Sequence, residues 1–239
     1  LYFSLLLLLE AGVLGVFLAF DLLLFFLFWE LELIPMYFLI GLWGGPRREY
    51  AAIKFVLYTL AGSVLLLAGL LLLYIQSRPS TTDLLALTAL VPHLAPEVRT
   101  LVCLLFLGNF AVKLPIFPFH TWLPDAHVEA PTPVSVLLAG VLLKLGGYGL
   151  VRLNVGLFPE VVRDLSLLLG VLAVVNVLYG AAVSLVQRDL KALVAYSSIS
   201  HMGYVLLGLA AMTPVALSGA VFQMVSHGLI TGLLFLLVG

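Results

Sequence analysis

The sequence predicts an all-α polytopic membrane protein with about eight transmembrane helices, and three observations predict it. First, 63% of residues are hydrophobic and only 10% charged, against ~45–50% and ~25% in soluble domains. Second, Pro, Gly and charged residues punctuate the chain into apolar runs near the ~20 residues a spanning helix needs. Third, these runs do not alternate over ~9–11 residues as barrel strands do, and lipid requires backbone polar groups to be satisfied internally, which leaves helices. The expected spans are 1–20, 22–43, 52–75, 99–122, 133–153, 164–187, 190–212 and 216–239. They leave no room for a soluble domain.

Composition also excludes several classes. The net charge of −1 says nothing of partners, but no stretch is basic enough for nucleic acid. The single Cys103 excludes an internal disulfide and any cysteine-ligated cluster or zinc site within the chain, so no cofactor and no metal are expected. The chain begins apolar at Leu1, without a charged leader region or initiator Met, and stops inside the apolar run Gly228 to Gly239. An internal piece of a longer membrane protein is the expectation. Counting spans puts Arg47, Arg48 and Lys54 on the same side as Arg188 and Lys191, with Arg78, Arg99, Arg152 and Arg163 opposite, a partial positive-inside bias.

The second span holds Glu30 and Glu32 near its middle. A two-residue step on a helix turns them about 200° apart, so only one readily faces a given neighbour. Pro35 lacks an N–H and frees the carbonyl of Leu31 beside them. The alternative to function is an acid protonated or hydrogen-bonded to an adjacent helix.

The fourth span contains Lys113 with Pro115 and Pro118 just after it, so the carbonyls of Ala111 and Leu114 lose their helical donors. Broken helices at membrane depth are tolerated only where protein or a water-filled cavity covers them, and often mark transport sites. The connector HTWLPDAHVEAPTP follows, with His120, Asp125, His127 and Glu129. It reads either as a capped interfacial turn with Trp122 at headgroup level or as an entry funnel for protons, with Thr132-Pro133 as N-cap and N1 of the next helix. The spacing of its polar residues is not that of a metal site.

In the fifth span Lys144 lies roughly 15 Å from the helix start by rise per residue, which makes snorkelling difficult. Gly140, Gly146, Gly147 and Gly149 give that helix bare surfaces for close packing. In the seventh span Ser197 and His201 share a face with Tyr204. In the eighth, Gln223, His227 and Thr231 form a second four-spaced stripe, and the two histidines on successive helices read as relay members. A lysine at the bilayer midplane costs a few kcal/mol on insertion scales, so Lys113 and Lys144 together point to proton or ion movement.

Three stretches carry a family resemblance: WELELIPMYFLIGLWG, FAVKLPIFPFHTWLPDAHVEAPTPVSVLLAGVLLKLGGYG, and DLKALVAYSSISHMGYV followed by VSHGL. In them the chain resembles the antiporter-like, proton-pumping membrane subunits of respiratory complex I (NADH:quinone oxidoreductase), in particular the M-type, subunit 4 branch. The resemblance implies an antiporter-like inverted-repeat fold, with residues 1–153 as a first five-helix repeat and 164–239 as the beginning of an incomplete second one. It implies Glu30 as the acid of the first pump helix, Lys113 as its partner, Lys144 as a connecting lysine, and His201 and His227 on a central hydrophilic axis. Glu32, Ser197, Gln223, His120 and His127 are accessory candidates. The implied partners are other membrane subunits of complex I, including neighbouring antiporter-like subunits, and lipid. Quinone and NADH would bind to those other subunits, with no redox centre here. A bacterial inner membrane is the implied location, a mitochondrial one the alternative. The competing readings are a subunit of a multisubunit cation/proton antiporter or membrane-bound hydrogenase, a stand-alone solute transporter, and a membrane scaffold.

Overall fold

A computed structural model describes residues 1–239. The secondary structure is helical throughout, with one isolated β-bridge between Asp21 and Asp83. Helix α1 (Tyr2–Leu18) is followed by α2 (Leu22–Leu31) and α3 (Leu33–Trp43), which form one span interrupted at Glu32. The interruption falls where Pro35 cannot donate to the Leu31 carbonyl. Next come α4 (Arg48–Gln76), the short α5 (Leu84–Leu90) and α6 (Pro96–Lys113). Helix α6 stops at Lys113, and after an irregular turn α7 (Trp122–Glu129) begins.

A single helical rod, Thr132–Val155, contains α8 (Thr132–Leu137), a π-turn at Leu138–Leu142, α9 (Leu143–Gly149) and a second π-turn at Leu150–Val155. After α10 (Pro159–Asp164) come α11 (Ser166–Leu185), α12 (Leu190–Ala211) and α13 (Pro214–Val238). Six spans are long and apolar enough to cross a membrane: Leu22–Trp43, Arg48–Gln76, Thr132–Val155, Ser166–Leu185, Leu190–Ala211 and Pro214–Val238. Tyr2–Leu18 is shorter, and α6 carries Glu97, Arg99 and Lys113 in its 18 residues, so the expected eight is an approximate count.

Two sets of contacts define the ends of the bundle. At one end the α1–α2 turn pairs with the segment before α5: Leu22 N–H donates to the Thr82 carbonyl (2.7 Å) and Leu84 N–H to that of Phe20 (2.9 Å). The Arg152 guanidinium lies over the Phe20 ring, so it belongs to this end. At the other end Gly45 N–H donates to the Glu129 carbonyl (2.8 Å), Arg47 pairs with the Glu129 carboxylate, and Lys191 donates to the Ala130 carbonyl (3.1 Å). Arg47 and Lys191 therefore share an end, as span counting predicts.

The outer face is apolar, as lipid demands: Phe3, Leu57, Leu167, Leu178, Phe222 and Leu237 are all well exposed. The core is continuous and runs from α1 into α13. Helix α12 packs between α11 and α13 and also touches α7. Close approach there depends on Gly180, where a Cβ would sit 2.5 Å from the Ser200 backbone nitrogen. Overpacking of this kind costs about 1–3 kcal/mol. Gly180→Val is therefore expected to lower the thermal unfolding midpoint in detergent, whereas Gly170→Ala, with nothing within 4 Å, leaves it unchanged.

Candidate functional site: a buried ion pair at a broken helix

Two consecutive residues explain where α6 ends. Pro115 has no N–H for the Ala111 carbonyl, so Ile116 N–H bonds there instead (2.8 Å), one residue late. That shift strips the Val112 carbonyl of its helical donor, and the indole Nε1 of Trp122 supplies the replacement at 2.9 Å. Trp122 is buried against Phe55. The Asn176 side chain, from α11, takes the next part of the turn. Its Nδ2 donates to the Pro115 carbonyl (3.1 Å), and its Oδ1 accepts from Phe117 N–H (2.7 Å). Gly146 lets the Thr132–Val155 rod press against the break, since a Cβ there would lie 2.6 Å from Leu114 N.

Lys113 is the last residue of α6 and is 2% exposed. Its ammonium forms an ion pair and hydrogen bond with the fully buried Glu32 carboxylate. The Trp29 ring centroid lies 5.0 Å from Nζ and that of Phe55 5.9 Å away. A cation over such faces gains roughly 0.5–2 kcal/mol. Trp29 and Glu32 are three residues apart, hence on one face. That geometry corrects the expected pairing of Glu30 with Lys113. A carboxylate at position 32 points into the bundle with Trp29 while one at position 30 is turned about 200° from it. Glu30 instead lines an open cleft of about 420 Å³ with Leu33, Ile34, Tyr37, Phe38, Val56 and Leu60, its Oε1 buried without a protein partner.

Lys144 forms a second centre, also buried. Its Nζ donates to the Ala139 carbonyl inside the first π-turn and lies 2.6 Å from Nδ1 of His227, on α13. Widened π-turns recur at functional positions because they loosen the backbone ladder. Gly140 and Gly228 allow this approach: a Cβ at Gly228 would meet the Gly140 carbonyl at 2.7 Å. His201 stands beside His227, ring centroids 5.4 Å apart, and its Nδ1 is 3.1 Å from Gln223 Nε2. His227 is buried, whereas His201 lies on the outer surface of the chain. Ser197 donates back to the Val194 carbonyl and makes no bond to His201.

The expected polar connector is mostly helix α7 and mostly interior. His120 is buried between Phe117 and Tyr179, and His127 stacks on Phe235 at 4.4 Å; the ring nitrogens of both lack a protein partner. Asp125 accepts from Lys54 (2.7 Å), and Glu129 receives the Arg47 backbone N–H (2.9 Å). Thr132 is not the N-cap: the cap is Pro131, whose carbonyl takes Val134 and Ser135 N–H. Sequence reasoning missed Asn176, for which a lone carboxamide in the apolar run LGVLAVVNVLYG was the available signal.

The fold and site define a class: an integral membrane helix bundle with two buried lysines, one paired with a carboxylate and the other beside a histidine. The family model described as NADH:quinone oxidoreductase/Mrp antiporter, transmembrane, matches residues 19–239, and the chain belongs to that family. It is 54% identical over its whole length to NAD(P)H-quinone oxidoreductase chain 4 1 of Synechococcus sp. (strain JA-3-3Ab), of which it covers 45%. It thus spans a little under half the length of that curated relative. Among solved structures, it is similar to a chain of respiratory complex I from Thermus thermophilus with bound NADH. There the TM-score is 0.93 at 39% identity, over 99% of this chain and 50% of that one. A chain of the Mrp complex from Dietzia sp. DQ12-45-1b matches with TM-score 0.87 at 33% identity, covering 98% of this chain and 25% of that one.

Losing the Trp122 donor leaves the Val112 carbonyl buried and unsatisfied, a cost of about 1–3 kcal/mol. Trp122→Phe is expected to destabilise the protein by that amount in detergent unfolding and to speed amide exchange across residues 112–122.

Proposed function

We propose that this chain translocates protons across an energy-transducing membrane as part of an NAD(P)H:quinone oxidoreductase of the complex I type. The observation that carries the reading is the Lys113–Glu32 pair, buried where the α6 backbone is broken. Burial disfavours a lysine's charged form and a neighbouring carboxylate restores it. While Glu32 and the Trp29 face hold the ammonium, Lys113 keeps its proton. Separation removes both stabilising contacts and favours release. Moving one charge against 100 mV takes ~2.3 kcal/mol, which is within the scale of a buried charge pair made or broken.

In this scheme Lys144 accepts the charge next, His227 shares it through the 2.6 Å contact, and His201 passes it on at the outer surface of this chain. Glu30, two residues before Glu32, is a second acid that exchanges protons with the pair from its cleft. Buried polar atoms without protein partners mark where ordered water sits in polar interiors. Glu32 Oε2, His227 Nε2 and both ring nitrogens of His120 and His127 are such atoms, so water bridges the titratable groups and His120 and His127 serve the access route. Residues 1–153 act as one pump repeat and 164–239 as part of a second. The driving energy comes from redox chemistry in partner subunits, in a bacterial inner membrane.

A second reading, membership of a cation/proton antiporter complex, has the support of the Mrp likeness. The identity and coverage of the quinone oxidoreductase relatives favour the first.

In complexes reconstituted into vesicles, Lys113→Met is expected to abolish proton uptake while leaving assembly intact. Glu32→Gln is expected to cut the proton yield at least severalfold. Pumping at the wild-type level by Lys113→Met would refute the role.

A further inference from the structure

We propose that Asn176 is a positioning residue for Lys113: it clamps the broken end of α6 and so sets where the ammonium sits relative to Glu32. This inference rests on the proton-translocation reading above. Asn176 lies on α11, far along the chain from the break, and its side chain is fully buried. It makes two hydrogen bonds with the same short turn, donating to Pro115 and accepting from Phe117 N–H. Those groups are two and four residues beyond Lys113, in the stretch where Pro115 and Pro118 deprive the backbone of its own ladder.

The chemistry suits a carboxamide and little else. The turn offers one carbonyl and one N–H to the same neighbouring helix, and only a side chain with a donor and an acceptor side by side answers both. A purely apolar helix face would leave both backbone groups buried and unpaired. The remaining supports come from earlier in the chain: Trp122 holds the Val112 carbonyl, just before Lys113, and Gly146 packs at Leu114. Asn176 is thus the hydrogen-bonding group by which α11, and through it the tightly packed α12, reaches the lysine's turn. Gly180, one helical turn along α11, seats directly on Ser200 of α12, so a shift of α12 carries α11 and its clamp with it.

The experiment measures protons moved per electron, and quinone-reductase turnover, in the reconstituted complete complex carrying Asn176→Leu, Asn176→Ala or Asn176→Asp. Lys113→Met serves as a parallel control. A protonated carboxyl at this position donates to Pro115 and accepts from Phe117 as the amide does. The expected result is an assembled Asn176→Leu or Asn176→Ala complex with turnover within twofold of wild type. Its proton yield per electron falls at least twofold, and Asn176→Asp recovers at least half of that loss.

A wild-type proton yield in Asn176→Leu or Asn176→Ala overturns the proposal, as does an Asn176→Asp complex no better than Asn176→Leu. Failure of both the Leu and Ala variants to assemble shows a folding role and overturns it equally. If Lys113→Met itself pumps normally, the translocation reading fails first. If Lys113→Met is inactive while Asn176→Leu pumps fully, only the positioning role falls.

Discussion

A lysine ammonium inside hydrocarbon must be neutralised where it stands, and the architecture around Lys113 follows from that constraint. Its burial leaves no path for snorkelling to an interface. Glu32 answers with opposite charge and Trp29 with a π-face. Bringing these to the lysine requires two interruptions of regular helix, one at Glu32 and one immediately after Lys113. Each interruption exposes backbone groups that must then find partners. Trp122 and Asn176 are those partners at the second break. A single charged group thus dictates side chains on α2, α7 and α11.

Lys144 meets the same constraint differently. No carboxylate lies against it; its ammonium donates to a backbone carbonyl inside a π-turn and lies 2.6 Å from a histidine nitrogen. A lysine held by neutral acceptors has less to keep it charged than one held by a carboxylate. No other part of the chain combines the burial of the Glu32–Lys113 pair with a complete ion pair.

Much of this was legible in the sequence because membrane physics leaves few options. Apolar run lengths gave the helical class, and prolines 115 and 118 located the broken helix at Lys113. The depth of Lys113 and Lys144 marked them as functional candidates. Choosing between Glu30 and Glu32 required rotational phase: the two residues face opposite sides of one helix, and nothing local says which side meets α6. Asn176 stood out only as a lone carboxamide in an apolar run, and its role was hidden because its partners are backbone groups distant in the chain. The π-turns of Thr132–Val155 and the burial of α7 depend on packing among several helices, which local pattern does not encode. His201 illustrates the converse: its spacing from Ser197 suggested a shared polar face, yet Ser197 satisfies itself on its own helix.

The central claim is that Glu32 and Lys113 form one buried ion pair. Infrared difference spectroscopy of the assembled complex tests this directly through the C=O stretch of protonated carboxyl groups. The account predicts that Lys113→Met adds a new protonated-carboxyl band, and that this band disappears when Glu32→Gln is combined with it. An unchanged carboxyl region in Lys113→Met, or a new band that persists in the double variant, would contradict the pairing on which the site is built.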